Sequence, residues 1–303
     1  MFYRPENLFI MKHLLQTAER GGYAIGAFSA RSTTFIGAIL RVGQKLQSPL
    51  LVQITPIELE WFNVSMEEFD ETFWETMQSQ KVSVPVGLHL DHTQDMAIIQ
   101  RAICNGFTSV MIDASAQPTE ENIRITREVV AYAHARGVSV EAELGRIGSA
   151  DSMETTTDEE LFTDPLEARH FVEATGVDAL AVSVGTSHGV YTVRQPRVDI
   201  DVLKAIRAQT AVQLVIHGGS GTPADLLTRA IRMPGGGISK INIATDLELG
   251  FLKALGREKR MLDAEIKALP AAELKQGLEA VEAVVEDKIL NYLLSQQHAV
   301  DFK

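Results

Sequence analysis

The chain has 303 residues, 45% of them hydrophobic, which is a length and composition typical of one soluble α/β barrel. Its 40 acidic residues outnumber 28 basic ones, and the net charge of −12 argues against nucleic acid or an anionic membrane as a partner. A single cysteine, Cys104, rules out an intramolecular disulfide and favours the cytoplasm, and we expect it to be a buried small apolar residue. No apolar run approaches the roughly 20 residues of a membrane span, so we expect neither a span nor a signal peptide.

Short apolar runs alternate with amphipathic stretches along nearly the whole chain. The predicted strands are YAIGAF (23–28), PLLVQI (49–54), VPVGLHL (84–90), SVMI (109–112), SVEAEL (139–144), ALAVSV (179–184), VQLVI (212–216) and ISKINI (238–243). Several helical patterns between them end in glycine, the usual C-terminal stop. Eight strand–helix units predict a (β/α)8 TIM barrel of the α/β class, with residues 1–303 as a single domain, rather than an open doubly wound sheet.

Two segments fall outside this alternation. Residues 146–163 form a long polar stretch after the fifth strand, which is typical of a lid or binding loop; a disordered surface insertion is the alternative. Residues from about 248 to 297 form a helical C-terminal extension beyond what an eighth barrel helix needs. Its apolar positions at helical spacing predict packing on the outside of the barrel or on another subunit, and we expect a homo-oligomer, a dimer or a tetramer.

Three histidines each follow a predicted strand: His92, His188 and His217. Because the carboxyl ends of all strands meet at one face of such a barrel, these imidazoles are expected to converge there. Three protein ligands with one open position are typical of a catalytic zinc. A hydrogen-bonded core histidine is the alternative for any one of them alone. His89 lies on the same strand face as Asp91, and we interpret it as a core or supporting residue rather than a ligand.

Carboxylates accompany these histidines at the strand ends. Asp91 is placed to exchange a proton with a substrate hydroxyl, or else to orient a ligand imidazole from behind. Successive strand residues point to opposite faces, so Asp91 and His92 share the site only where the strand breaks into its loop. Glu143 is either a metal ligand or a structural carboxylate, and the sequence leaves this open. Lys240 is predicted to be structural.

Glycine-rich residues follow the seventh strand in HGGSG (217–221), and NIATD (242–246) follows the eighth. In these barrels this is the usual location of a phosphate site built from backbone amides and a helix N-terminus. HGGSG taken alone is also compatible with a simple turn. A metal and a phosphate pocket together indicate a phosphorylated carbonyl compound as substrate.

The ordered motifs HLDH, GFTSVMIDAS, GVSVEAELGRIG, GVDALAVSVGTSHG, HGGSG and KINIAT resemble the zinc-dependent class II ketose-bisphosphate aldolases. The tagatose-bisphosphate branch is the most similar, judging by ELGRIG and by the alanine in NIAT. The resemblance implies an aldehyde-lyase that reversibly cleaves tagatose- or fructose-1,6-bisphosphate. The products would be dihydroxyacetone phosphate and glyceraldehyde 3-phosphate, formed through a metal-stabilised enediolate.

The resemblance also implies roles for individual residues. One catalytic Zn²⁺ is held by His92, His188 and His217; Glu143 and Asp113 mark a second metal position, and a monovalent cation is also possible. Asp91 is the proton donor and acceptor, Asn242 donates to the developing oxyanion, and Asp151 in the lid loop assists proton transfer. The residues that surround the dihydroxyacetone phosphate are Gly189, Gly218, Gly219, Ser220, Asn242, Ile243, Ala244 and Thr245.

The chain departs from the family pattern at three places. Thr192 stands where many members have a phosphate-binding lysine, Asp151 is a shorter substitute for a lid glutamate, and Thr93–Asp95 replaces Gly-Ser-Ser. These changes leave two other readings open. One is a related aldolase for another phosphorylated ketose, such as a deoxy-gluconate phosphate or a sulfo-sugar phosphate. The other is a catalytically impaired subunit that binds sugar phosphates.

Overall fold

The structure, a computed structural model, describes residues 5–145, 162–186 and 196–302. Eight strands lie in this part of the chain: β1 (Ile25–Ser29), β2 (Leu50–Ile54), β3 (Val86–Thr93), β4 (Ser109–Ile112), β5 (Ser139–Leu144), β6 (Ala179–Val182), β7 (Gln213–Ile216) and β8 (Ile238–Ile243). Each strand pairs in parallel with the next one, and β8 pairs with β1 to close the barrel. The structure therefore confirms the predicted (β/α)8 barrel, and all eight predicted strands form.

Twelve α-helices lie in the described residues, most of them between successive strands. They are α1 (Met11–Gly21), α2 (Thr33–Leu46), α3 (Pro56–Phe62), α4 (Met66–Ser79), α5 (Met96–Cys104), α6 (Thr119–His134), α7 (Pro165–Thr175), α8 (Ile200–Gln209), α9 (Ala224–Ile231), α10 (Thr245–Ala254), α11 (Asp263–Lys267) and α12 (Ala271–Asp287). Local sequence sets their ends: Asp164 caps the start of α7 ahead of Pro165, and Gly176 ends it in the left-handed conformation. None of the helices in the described ranges combines the length and apolarity that crossing a bilayer needs.

The buried apolar residues form two clusters. The larger one fills the layer between the outer face of the strands and the helices. The smaller one joins Leu14, Leu15 and Ala18 of α1 to inward-facing strand residues such as Ala27 and Ala181. Helix α1 thus closes the amino-terminal end of the barrel, so the opposite end, where the strands' carboxyl termini lie, is left for a site.

The C-terminal helices pack on the outside of the barrel, as predicted. Helix α12 contacts α2 and α10, and it buries Gly277, Val281 and Val285. A π-helical turn, Lys288–Leu293, continues α12, and a 3-10 helix, His298–Phe302, follows.

The prediction that Cys104 is buried was wrong, because its side chain is exposed at the end of α5. The buried face of that helix is formed by Ile99 and Ala102. Cys104 lies five residues beyond Ile99, about 140° around the helix, and so faces solvent.

Candidate active site

A cavity of about 610 Å³ opens at the carboxyl ends of the strands. Its volume is within the range of small-molecule sites. It is lined by Ser29, Arg31, Gln53, Thr55, Ile57, Glu58, Trp61, Asp91, His92, Asp113, Ser115, Ala116, Glu143, Gly218, Ser220, Asn242, Ala244 and Thr245. Five of the side chains that the sequence singled out at strand ends therefore meet in one place: Asp91, His92, Asp113, Glu143 and Asn242.

An irregularity at the end of β3 brings two consecutive side chains into this cavity. Leu90 pairs with Val110 and Thr93 pairs with Ile112, so between these two pairs β3 has one residue more than β4. Within this bulge His92 has a φ of 37°, a left-handed conformation that is strained for a residue other than glycine. Asp91 and His92 consequently both line the cavity instead of pointing to opposite faces. Such strain is typical of functional positions.

His92 and His217 lie side by side, with their ring centroids 4.4 Å apart. The Nδ1 of His92 lies 3.0 Å from Asp113 Oδ2, and the Nδ1 of His217 lies 3.1 Å from Glu143 Oε2. Burial lowers the pKa of both rings, but the surrounding carboxylates outweigh it: they raise the pKa of His92 to about 10 and also raise that of His217. The surroundings of both imidazoles therefore favour positive charge.

The donor set fits a divalent cation. One ligand atom from each of Asp91, His92 and His217 lies within 4.8 Å of the other two, and the same holds for His92, Asp113 and Glu143. A ligand imidazole typically has its other ring nitrogen held by a carboxylate, and both rings have such a neighbour. The structure therefore brings together four of the five predicted metal ligands.

Asp91 is held as an ionised carboxylate. Gln53 Nε2 donates to its Oδ2 at 3.0 Å, and Asn242 Nδ2 donates to both of its oxygens. Burial raises the pKa of Asp91, but His92, His89 and Lys240 outweigh burial and hold it well below its usual range. This carboxylate is therefore deprotonated, as a proton acceptor must be.

A buried ion network lies directly beneath the site. Lys240 Nζ lies 2.8 Å from Glu141 Oε2 and donates to Asn242 Oδ1 at 2.7 Å. Glu141 Oε1 lies 2.9 Å from His217 Nε2, and all these groups are inaccessible to solvent or nearly so. His89 lies in this layer too, with its Nδ1 2.8 Å from Ser109 Oγ. Since charges are costly to bury unpaired, the Lys240 ammonium is what makes the buried Glu141 carboxylate tolerable.

The two glycine- and polar-rich loops are bound to each other. Gly219 N donates to the carbonyl of Asn242 at 3.0 Å, and Ser220 Oγ accepts from the backbone amides of Ala244 and Asp246 at 3.3 Å each. A Cβ on Gly219 would come within 2.4 Å of Ile241 and 2.7 Å of the Asn242 carbonyl oxygen, so only glycine fits there. The cavity wall here includes the start of α10, where backbone amides favour an anion.

Of the predicted substrate-binding residues, Gly218, Ser220, Asn242, Ala244 and Thr245 line the cavity. Gly219 is packed against the β8 backbone behind it, and the Ile243 side chain belongs to the core. Four other singled-out residues lie outside the described part of the chain: Asp151, His188, Gly189 and Thr192.

Sequence reasoning assigned no role to Gln53 or Glu141 and only a structural one to Lys240. A signal was available, since each is a polar residue inside an otherwise apolar strand segment.

The departure at Thr93–Asp95 has a local explanation. Asp95 caps α5 by accepting from Ala97 N at 2.7 Å.

The structure is a closed parallel TIM barrel with carboxylate-flanked histidines, which form a candidate metal site, and with a glycine-rich loop at the same end. The family model described as "Fructose-bisphosphate aldolase class-II" matches residues 10–297. The chain therefore belongs to the class II fructose-bisphosphate aldolase family. It is an aldolase, and members of this family generally depend on a metal and act on phosphorylated sugars.

Solved structures agree with this assignment. The YdjI aldolase of Escherichia coli K12 is 33% identical with a TM-score of 0.81, over 96% of this chain and 99% of that one. A Coccidioides immitis protein described as a candidate fructose-1,6-biphosphate aldolase is also 33% identical, with a TM-score of 0.80, over 96% and 98% of the two chains. The fructose-bisphosphate aldolase of Campylobacter jejuni, 22% identical over 96% of each chain with a TM-score of 0.74, shares the fold.

Proposed function

We propose that the protein is a zinc-dependent aldolase that reversibly cleaves a phosphorylated ketose to dihydroxyacetone phosphate and an aldehyde. The observation that carries this proposal is the position of Asp91. Its ionised carboxylate is held by Gln53 and Asn242 beside the His92–His217 pair. A base thus lies next to a group of side chains that could hold a metal ion, a combination suited to cleaving the carbon–carbon bond next to a carbonyl-bearing carbon.

Zinc is an ion that suits imidazole nitrogens with carboxylates behind them. His92 and His217 would hold it together with His188, and Asp113 and Glu143 would either orient the rings or form a second metal position. When bound, the ion supplies Lewis acidity toward the carbonyl group that accepts the electron pair of the broken bond.

The proton transfers fall to the chain's own side chains. In cleavage, Asp91 accepts the proton of the C4 hydroxyl, the C4 oxygen becomes the aldehyde carbonyl, and the C3–C4 electron pair stays on the three-carbon fragment. Protonation of that fragment at C3 gives dihydroxyacetone phosphate, and Asp151 is the residue to which the resemblance assigns help with this proton. In condensation, Asp91 returns its proton to the new hydroxyl. Asn242 and Gln53 keep the carboxylate in place throughout.

The phosphate of the three-carbon fragment is proposed to bind at the joined loops after β7 and β8. Gly218, Ser220, Ala244 and Thr245 line this part of the cavity, and the N-terminus of α10 faces it. Gly189 and Thr192 would complete the pocket. Backbone amides suit this task in a protein of net charge −12, because they attract an anion without adding a basic side chain.

Tagatose- and fructose-1,6-bisphosphate are the substrates that the sequence resemblance implies, and a deoxy-gluconate phosphate or a sulfo-sugar phosphate are the alternatives. The single cysteine supports the cytoplasm as the compartment. A homo-oligomer, dimer or tetramer, is part of the proposal and is tested by light scattering.

Two assays on the zinc-loaded protein test this function. In deuterium oxide, exchange at C3 of dihydroxyacetone phosphate, followed by NMR, reports the three-carbon half-reaction whatever the aldehyde is. A panel of phosphorylated ketoses, with triose phosphate as the detected product, reports the whole reaction. We expect exchange and at least one cleaved ketose. If the zinc-loaded protein gave neither, the proposed function would be wrong.

A further inference from the structure

The described residues that line the cavity carry an unequal set of charges. Four are carboxylates, Glu58, Asp91, Asp113 and Glu143, and one is a guanidinium, Arg31. Apart from His92, which is assigned to the metal, Arg31 is therefore the side-chain cation of the described wall that a substrate anion would meet, and its own partners decide whether it is available.

Two carboxylates already pair with the Arg31 guanidinium. Its Nε donates to Glu58 Oε1 at 2.7 Å and its Nη1 to Glu248 Oε2 at 2.5 Å, and all three residues are buried. Burial lowers the pKa of Arg31, but the carboxylates of Glu58 and Glu248 outweigh burial and raise it, so Arg31 stays charged. The arrangement is rigid, because Glu58 also closes the capping box of α3 with Thr55.

Among the described residues around Arg31, no unpaired cation is added to this wall. Glu248 also accepts from Arg260 Nε at 2.8 Å, and the Arg260 guanidinium stacks on Trp61 at 4.4 Å from the ring centroid. The two positive charges of Arg31 and Arg260 thus equal the two negative charges of Glu58 and Glu248. The rest of this wall, at the ends of β1 and β2, consists of the hydroxyls of Ser29 and Thr55, the amide of Gln53 and two exposed apolar side chains, Ile57 at 46% and Trp61 at 37%.

This wall lies next to the phosphate loops, since β1 and β2 follow β8 around the barrel, and on its other side it borders β3, which carries Asp91. If the phosphate of the three-carbon fragment binds at β7 and β8, the aldehyde half extends over β1 and β2. A second phosphate there would face the Glu58 carboxylate and an indole, with Arg31 already paired. Bringing a dianion against a buried carboxylate without a free cation is costly.

We propose, on the basis of the proposed aldolase function, that the aldehyde half of the substrate is uncharged and bears hydroxyl groups. The substrate class is then a ketose 1-phosphate with a neutral distal end, in place of the 1,6-bisphosphates that the sequence resemblance implies. Ser29 and Thr55 supply hydroxyl partners for the distal hydroxyls, and Ile57 and Trp61 pack against its carbon chain. The Arg31–Glu58 pair excludes a second phosphate.

The test is condensation of dihydroxyacetone phosphate with racemic glyceraldehyde or with racemic glyceraldehyde 3-phosphate, using the zinc-loaded protein. We expect kcat/KM to be at least about tenfold higher for the neutral aldehyde, which corresponds to about 1.4 kcal/mol. A value equal or higher for the phosphorylated aldehyde overturns the inference. The inference is also overturned if dihydroxyacetone phosphate exchanges at C3 but glyceraldehyde does not condense with it. Either of these two outcomes leaves the proposed aldolase function intact. Loss of exchange and condensation together counts against the function itself.

Two variants test the charge argument. Glu58→Gln releases one partner of Arg31, and Ile57→Lys adds a cation on an exposed wall position without breaking a buried pair. Each is expected to shift the kcat/KM ratio about tenfold toward the phosphorylated aldehyde. The matched controls are Glu282→Gln, which removes an exposed partner of Arg41, and Leu166→Lys, an exposed apolar position outside the cavity wall. An unchanged ratio in both test variants contradicts the inference, and so does an equal shift in the controls.

Discussion

Asn242 donates its amide group to both carboxylate oxygens of Asp91, at 3.2 and 3.0 Å, across 151 residues of sequence. The orientation of that amide is fixed from the other side, because its Oδ1 accepts from Lys240 Nζ at 2.7 Å. The charge buried in β8 therefore determines how the base at the end of β3 is held.

Replacing Asp91 by asparagine should leave zinc bound but lower kcat for ketose cleavage by about 10²- to 10⁴-fold, because the acceptor of the C4 proton is lost. Exchange at C3 of dihydroxyacetone phosphate involves no C4 hydroxyl and should fall far less. Metal analysis and the two assays separate these effects. Unchanged cleavage would reject the acid–base role, and loss of zinc would show that Asp91 serves the metal instead.

Lys240→Met should destabilise the fold by about 3–5 kcal/mol, since it leaves the buried Glu141 carboxylate without its cation. The measurement is the free energy of unfolding in urea. The double variant Lys240→Met/Glu141→Gln should recover part of the loss. Lys204→Met, which breaks an exposed pair with Asp201, should cost less than about 1 kcal/mol. Equal costs for the two lysines would mean that burial of the pair is unimportant.

Gly219→Ala should displace the loop after β7, because its Cβ would meet the Ile241 side chain and the Asn242 carbonyl. Overpacking of this kind costs about 1–3 kcal/mol, and we expect KM for dihydroxyacetone phosphate to rise about tenfold. Gly37→Ala on α2 is the control, because its Cβ would meet the ends of the Gln80 and Arg41 side chains. A normal KM in Gly219→Ala would remove this loop from the phosphate site.

Asp70 on α4 predicts a pH dependence of stability. Burial raises the pKa of this carboxyl group to about 6, above the value near 3.9 of an unfolded chain. The folded state then holds more protons between these two values, so the contribution of Asp70 to stability falls as pH rises from about 4 to 6. Asp70→Asn should therefore be more stable than the parent by about 1–2 kcal/mol at pH 7.5, with the gain vanishing below about pH 4.

Urea unfolding at several pH values measures this difference. Glu75→Gln, at an exposed carboxylate of the same helix, is the control and should show no such trend. A gain for Asp70→Asn that does not change with pH would place its cause outside the titration of this group.

The strands could be predicted because each is a short apolar, β-branched run, and a closed barrel then brings His92, Asp113, Glu143 and His217 to one face. The bulge at His92 could not be predicted in detail, since it depends on the register between β3 and β4. Side-chain contacts between residues far apart in the chain also could not be predicted from the sequence. Arg31 and Glu248 are 217 residues apart, and nothing in either local sequence indicates that they pair.

The most direct test of the proposed function is whether turnover follows bound zinc. Metal would be removed with a chelator, zinc returned in steps, and metal content and the rate of dihydroxyacetone phosphate exchange measured on the same samples. We expect loss of exchange on removal and recovery in proportion to zinc, complete at about one ion per chain, with His217→Ala regaining neither zinc nor exchange. Full activity in protein whose metal content is negligible would contradict it.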